Sequence, residues 1–302
     1  LDKRRITQII AAITTNANIN GFLKGNIFKG NTKKICVPGL NCYSCPGALG
    51  ACPIGSLQAV IGTVRYNLSL YVVGLMSLFG IIFGRFICGW LCPFGLIQDL
   101  LYKIPSKKIN VSQKVNNILK YLKYIILALF VIILPMFLVN EFGISPPYFC
   151  EYICPAGTLE GGIPLISLNK SLRGAIGYLF AWKMFLLIII IIASIFIYRP
   201  FCRYICPLGA FYSLFNKVSF YKYEVDKDKC TSCNACVHKC KMNIEVYKNP
   251  NSSECIRCGE CIKICPTKSI KKNLNFKISN ANKLRFNDID TDVKESRVKN
   301  RH

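Results

Sequence analysis

The sequence predicts a membrane-embedded α-helical bundle of about four spans, built from tandem two-helix repeats, followed by a small cysteine-rich α+β domain. Three observations carry this. Long apolar runs recur through the first two thirds of the chain, a Cys-Pro-x-Gly word closes such stretches four times, and two tight cysteine runs lie downstream. Of 302 residues 52% are hydrophobic, with 18 cysteines against 2 histidines. A composition so apolar, gathered into runs, points away from an ordinary soluble domain.

Three runs, 68–87, 121–139 and 182–198, hold 20, 19 and 17 residues, each long enough to cross a hydrocarbon core of about 30 Å. A weaker run, 6–23, carries Thr14, Thr15, Asn16, Asn18 and Asn20, and reads as a span only inside a bundle that satisfies those amides. Lys3-Arg4-Arg5 before it resembles the charged start of a signal peptide. No small-x-small cleavage site follows, so the segment reads as an uncleaved first span. Residues 99–123 hold six lysines and one acid, and everything after Tyr198 is basic, which places both on the cytoplasmic side. Residues 140–169 hold three acids and no base and read as external. Residues 24–67, external by the same count, run against it with four lysines and Arg65.

The words themselves repeat. RFICGWLCPFG at 85–95 and RPFCRYICPLG at 199–209 share Arg, Cys, Cys, Pro and Gly. PYFCEYICPAG stands at 147–157, and a reduced copy, CPGALGACPIG, at 45–55 has Ala48 where a cysteine would repeat. Each half of a membrane region 1–215, about 1–100 and 115–215, therefore reads span, word, span, word, as an internal duplication does. In Cys-x3-Cys-Pro the two thiols fall on one side of a helical turn that the proline ends. Two such pairs supply four thiolates around one point. Cys88, Cys92, Cys202 and Cys206 are expected to meet on the cytoplasmic side, with Arg85, Arg199 and Arg203 beside them favouring thiolate. Cys52, Cys150 and Cys154 are expected to meet on the opposite side. Trp90 and Tyr204 read as membrane-interface aromatics.

Downstream, 230–240 reads C-TS-C-NA-C-VHK-C and 255–266 reads C-IR-C-GE-C-IKI-CP. This is C-x2-C-x2-C-x3-C twice, the bacterial ferredoxin pattern, in which the fourth cysteine of each run serves the other [4Fe–4S] cluster. One cluster is expected on Cys230, Cys233, Cys236 and Cys265, the other on Cys255, Cys258, Cys261 and Cys240. Zinc sites pair separated C-x2-C hooks instead. Residues 220–272 are thus expected to form a small α+β dicluster ferredoxin-like domain, and 273–302 a polar, mobile tail without a site. Lys241 stands where such a run ordinarily has proline.

The external set is less determined. Cys36, Cys42, Cys45 and Cys52 either bind one cluster alone, leaving Cys150 and Cys154 as a pair, or Cys52 with Cys45 or Cys42 joins Cys150 and Cys154. The second arrangement mirrors the inner site and is preferred, as Cys45, Cys52, Cys150 and Cys154, with Cys36 and Cys42 as additional metal or redox thiols. Four cubanes of about −2 each would reduce the formal charge of +24 to about +16, still a basic face suited to an anionic membrane or an acidic redox partner. Nucleic acid is not expected as a partner. No histidine lies in any run, which excludes a bis-His haem, and no phosphate-binding loop or nucleophile–base pair is present.

The CGWLCPFG and CRYICPLGA words followed by the dicluster run resemble the membrane-bound polyferredoxins of the NapH/NosR type over most of 80–270. The resemblance implies a multi-pass protein of the cell membrane with a cytoplasmic ferredoxin domain, passing electrons through [4Fe–4S] clusters on the inner quartet and the eight ferredoxin cysteines. It does not carry over the reductase partner. Membrane lipid and redox proteins are the expected partners, flavin- or quinone-linked because a full bilayer is too wide for one tunnelling step, and the chain reads as an electron-transfer component rather than a stand-alone enzyme. The stretch from Cys36 to Cys52 departs from the family pattern. The alternative function is a membrane thiol–disulfide or metal-reducing maturation factor that uses the surplus external cysteines.

Overall fold

A computed structural model describes residues 2–62, 70–140 and 145–274. The expected tail from 275 onward, the start of the run 68–87 and the acid at 141 lie outside the described residues.

The described chain is mostly helical with one two-stranded sheet. Among the described residues two helices are long and apolar enough to cross a membrane, Gln113–Phe137 and Tyr178–Phe196, with 25 and 19 residues. At 1.5 Å per residue they reach about 37 and 28 Å. Their apolar side chains face outward rather than into the protein: Ile125, Leu129 and Phe137 on one, Phe185, Ile188 and Ile192 on the other. Pro135 cannot donate a backbone hydrogen bond, and the turns before it, Leu127–Ile133, widen to π-helix.

The other two expected runs differ. Run 6–23 divides into Lys3–Thr15 and Ile19–Lys24. The break has a physical cause. Asn18 donates from its backbone to Gly47 O at 3.1 Å and from its side chain to Pro46 O at 2.8 Å, so the asparagines tie the segment to the cysteine-rich loop instead of continuing the helix. In run 68–87 the described helix is Tyr71–Phe83, about 20 Å long, and it stops at Gly84 with φ +54°.

The repeated words fold alike. The first cysteine of each full copy lies on a five-residue helix, Phe86–Trp90, Tyr148–Tyr152 or Pro200–Tyr204. In the two arginine-bearing words the second cysteine caps the next helix, Pro93–Leu101 or Pro207–Phe215, and its Sγ accepts from the glycine N–H at 3.4 Å. Proline fits the first helical position because its missing N–H is not needed there.

In the C-terminal module β1 (Tyr221–Val225) pairs antiparallel with β2 (Ile270–Leu274), in register Tyr221↔Leu274 to Val225↔Ile270. The two cysteine runs between them share one backbone rhythm. Ser232, Asn234 and Asn243 have positive φ, and so do Arg257, Gly259 and Lys268. Each trio stands two, four and thirteen positions after the first cysteine of its run. Left-handed residues alternating with right-handed ones turn successive N–H groups toward a common centre, as anion-binding loops do.

This module is fastened to the bundle. Arg85 donates to Ser253 O at 2.9 Å and Glu254 Oε2 at 2.8 Å, and Lys123 Nζ reaches Glu254 Oε1 at 2.5 Å. Arg257 donates to Phe83 O and Asn216 O, both at 2.7 Å, while Trp90 Nε1 donates to Arg257 O at 3.0 Å. Trp90 therefore packs against the second cysteine run rather than facing lipid, and Tyr204 is buried with its hydroxyl on Asn116 Oδ1 at 3.2 Å. Gly89 allows the closest approach, since a Cβ there would collide with the Ile256 carbonyl.

Gly89→Ala should destabilise the full chain by about 1–3 kcal/mol through overpacking. Thermal unfolding in detergent checks it, and a midpoint equal to the parent's would show that this approach is not tight.

Candidate functional site

All the cysteines but Cys36 and Cys45 gather into four sets, and each set is assembled by more than one segment. In the inner set Cys88, Cys92, Cys202 and Cys206 are all buried, close enough for their thiols to interact electrostatically. A local two-fold relation governs their surroundings. Arg199, three residues before Cys202, donates to Cys88 O at 2.5 Å; Arg85, three before Cys88, donates to Cys202 O at 3.1 Å. The word's glycines are explained by the same contacts. A Cβ on Gly95 would lie 3.2 Å from Cys88 O and 3.3 Å from the Arg199 guanidinium; on Gly209, 3.1 Å from Cys202 O and 3.5 Å from Arg85.

Each arginine has its own carboxylate. Arg199 grips Asp99 with two bonds of 2.7 and 2.6 Å, and Arg4 meets the same carboxylate. Arg85 pairs with Glu254. Burial opposes ionisation of Asp99, but the Arg199 guanidinium outweighs it and holds the carboxyl at about 2. Arg199 also adopts φ +49°, a strained conformation for a residue with a side chain, which the Asp99 grip and its bond to Cys88 O hold in place. Arg203, expected beside the inner set, instead reaches Met242 O at 3.3 Å in the C-terminal module.

The outer set differs in membership from the preferred expectation. A cavity of about 400 Å³ is lined by Cys42, Cys52, Cys150 and Cys154. Cys45 and Cys36 do not line it. The reason lies at Glu160, whose carboxylate accepts the Cys42 N–H at 2.7 Å and draws that residue to the cavity. Cys45 turns back, its N–H on Cys42 O at 3.2 Å and its thiol beside the Gly47 and Ala48 N–H groups. Cys36 is buried with its thiol on Ser56. Burial pushes Glu160 up to about 7, only partly opposed by the Cys42 N–H.

The third and fourth sets follow the crossed pairing of the two runs. Cys230, Cys233, Cys236 and Cys265 line one cavity. Cys240 lies with Cys255, Cys258 and Cys261. Partial burial raises the Cys265 thiol, but the hydroxyls of Ser269 at 3.2 Å and Thr267 at 3.6 Å outweigh it and bring it to about 7. Burial, reinforced by the neighbouring Cys258 and Cys240 thiols, pushes Cys255 up to about 12. Among the described residues no three His, Cys, Asp or Glu side chains close on a single metal ion. Four thiols spaced around a cavity, several receiving N–H donors, suit a polynuclear cluster, whose sulfurs accept such bonds.

The sets adjoin. Gly89, next to Cys88, rests on Ile256, next to Cys255. On the other side of the inner set, the N–H of Leu40 is aimed at the Cys92 thiol and that of its neighbour Asn41 at the Cys52 thiol. Tyr212, fully buried, lies within electrostatic reach of Cys88 and Cys92 and of Cys36 and Cys52, and its hydroxyl donates to Pro38 O at 3.0 Å.

The comparisons agree with this arrangement. A 4Fe-4S binding domain model matches residues 64–112, 124–167 and 179–222, and a second 4Fe-4S binding domain model matches 249–271. An uncharacterised protein of Methanocaldococcus jannaschii is 33% identical over 69% of this chain and 79% of its own length. The chain belongs to this family of ferredoxin-type 4Fe–4S electron-transport proteins. The ferredoxin-type protein NapH of Haemophilus influenzae is 26% identical over 69% of each chain. The putative electron transport protein YccM of Escherichia coli is 27% identical over 60% of this chain, which spans 49% of that relative. No solved structure matches. Each of the three segments matched by the first family model contains one full Cys-x3-Cys-Pro word.

Sequence reasoning missed a polar residue six positions after the second cysteine of every word: Gln58, Gln98, Glu160 and Tyr212. Gln98 Nε2 donates to Cys202 Sγ at 3.0 Å and Gln58 Nε2 to Cys150 Sγ at 3.3 Å. The signal was available, as one polar side chain recurring at a fixed place among largely apolar neighbours.

The sign of the Asp99 shift fixes an acid limit. Its carboxylate is depressed, so its contribution is complete above about pH 4 and is lost as pH falls through about 2. Asp99→Asn should cost about 3–5 kcal/mol at neutral pH, because it leaves Arg199 buried and uncompensated, and should remove that step. Unfolding midpoints across pH 2–7 for both proteins check this.

Proposed function

We propose that this ferredoxin-type protein is an integral membrane relay whose four cysteine sets each hold a [4Fe–4S] cluster in one continuous row. The assigned ligands are Cys230, Cys233, Cys236 and Cys265; Cys255, Cys258, Cys261 and Cys240; Cys88, Cys92, Cys202 and Cys206; and Cys42, Cys52, Cys150 and Cys154. Bound clusters supply one-electron redox chemistry. The protein's part is to hold neighbouring sets close, to keep water out and to aim N–H groups at the sulfurs. The observation that carries the reading is contiguity: Gly89 on Ile256 joins the second and inner sets, and the Leu40–Asn41 peptide joins the inner and outer ones. A row without a gap needs no carrier between the two sides of the bundle.

Membrane insertion is supported by the outward apolar faces of Gln113–Phe137 and Tyr178–Phe196. The basic loops put the ferredoxin-like module, here read as a dicluster domain, on the cytoplasmic side. Its partners are a redox protein at that module and a second carrier, flavin- or quinone-linked, near the outer set. The thiol–disulfide alternative retains only Cys36 and Cys45, the two cysteines outside every set.

Iron and acid-labile sulfide, counted on anaerobically purified protein, should each be about sixteen per chain, the content of four cubanes. About eight would confine clusters to the C-terminal module. Cys88→Ser with Cys202→Ser should remove about four of each and leave the module's signal. Gln98→Leu should keep all four clusters but lower the inner potential, since an N–H on sulfur favours the more negative, reduced state. Redox titration followed by paramagnetic resonance reads that shift, and an unmoved potential would show that Gln98 does not tune the site.

A further inference from the structure

Beside the C-terminal module lies a third cavity, of about 380 Å³, whose lining takes in Cys240 and Cys258 at one edge. It is enclosed by the start of helix Lys3–Thr15, the end of helix Pro93–Leu101, Tyr198 below helix Tyr178–Phe196, and the segment around Cys240 and Cys258. Arg5, Lys103, Lys239 and Lys241 stand on its wall, and none makes an ion pair among the described residues. The carboxylates present are already engaged. Asp99 is held by Arg4 and Arg199, while Asp2 and Glu260 share Lys263 at 2.8 and 3.3 Å. Arg4 has a buried Nε without a partner.

Lys241 departs from the usual ferredoxin run, where proline would stand, and the cavity gives the departure a use. Its ammonium lies 5.5 Å from the Tyr102 ring centre and 5.3 Å from that of Tyr198, so two aromatic faces orient it over the opening. A proline there would offer neither charge nor reach. Arg5, Lys103, Lys239 and Lys241 leave the recess with an excess of positive charge, which favours an anion there. The size of the recess exceeds that of a single small ion, and its tyrosine walls suit a larger molecule carrying the charge.

We infer that this cavity is a binding site for a phosphate-bearing anion, held by Arg5, Lys103, Lys239 and Lys241 against Tyr102 and Tyr198. Two sources share that chemistry. One is the headgroup of an anionic phospholipid. Helix Lys3–Thr15 leaves Ile6, Ile10 and Ile13 exposed beside the cavity, a surface along which acyl chains can lie. The other is a soluble phosphate compound entering from the side of the module. Either would sit against Cys240 and Cys258, at the edge of one cysteine set. A cluster of about −2 on that set would oppose the anion without replacing its contacts to the four cations, so probe binding is read on protein whose iron has been counted, which separates this inference from the relay reading.

The test uses the full chain in a non-ionic detergent. Phosphatidylglycerol retention, with phosphatidylcholine as the neutral comparison, is read by native mass spectrometry; pyrophosphate binding is read by calorimetry. One site per chain is expected for at least one probe. Arg5→Gln and Lys241→Gln should each weaken it by about fivefold, the effect of one cation near an anionic headgroup. Lys170→Gln, exposed and away from the cavity, should leave it unchanged. Saturation by the lipid alone identifies a headgroup site, and saturation by pyrophosphate a soluble ligand. Two results would overturn the inference: no saturable binding of either probe, or equal weakening by Lys170→Gln and by the two cavity variants.

Discussion

Glu254 lies between the Arg85 guanidinium and the Lys123 ammonium, with all three side chains withdrawn from water. Desolvating three charges is costly, and the attraction compensates only while every partner is present. The arrangement therefore works as a latch. Arg85 belongs to the first arginine-bearing word, Lys123 to a long helix, and Glu254 immediately precedes Cys255. The same guanidinium donates to Cys202 O in the other half of the bundle. One cation thus sets the distance between the two halves of the inner set and the distance from that set to the C-terminal module.

The duplicated word has diverged by position. In the two arginine-bearing copies Arg, Cys, Cys, Pro and Gly form a reciprocal arrangement in which each half clamps the other's first-cysteine carbonyl. The outer copies lack the arginine, and Cys42, held by Glu160, enters from a loop that the repeat does not predict. The residue six places after the second cysteine varies with the work at hand. Glutamine reaches a thiol across the pseudo-symmetry, glutamate fastens the intruding loop, and tyrosine lies within electrostatic reach of two sets.

Much of this was legible in the residues. Cysteine spacing makes the crossed sets of the C-terminal module an expectation, because wrapping thiols around a cube would leave little freedom in chain length. The inner quartet was legible because both halves repeat it almost letter for letter. The outer set was not, since Cys36, Cys42 and Cys45 offer similar spacings and only the Glu160 contact distinguishes them. Hydropathy counted the run 6–23 as one span, whereas its asparagines find backbone partners in the cysteine-rich loop. Trp90 looked like a lipid-interface residue from its place at the end of an apolar run; its indole N–H is instead used on Arg257 O.

The position of Ile256 against Gly89 has a consequence for biogenesis. Residues 252–257 leave the ribosome after every cysteine of the helical bundle, and when they dock they cover the approach to Cys88. Until then the inner quartet is open on that side. On the proposed reading the order of loading follows: a cluster on the inner set enters before, or as, the last segment settles over it. A chain whose C-terminal module matured and docked first would seal an empty chamber.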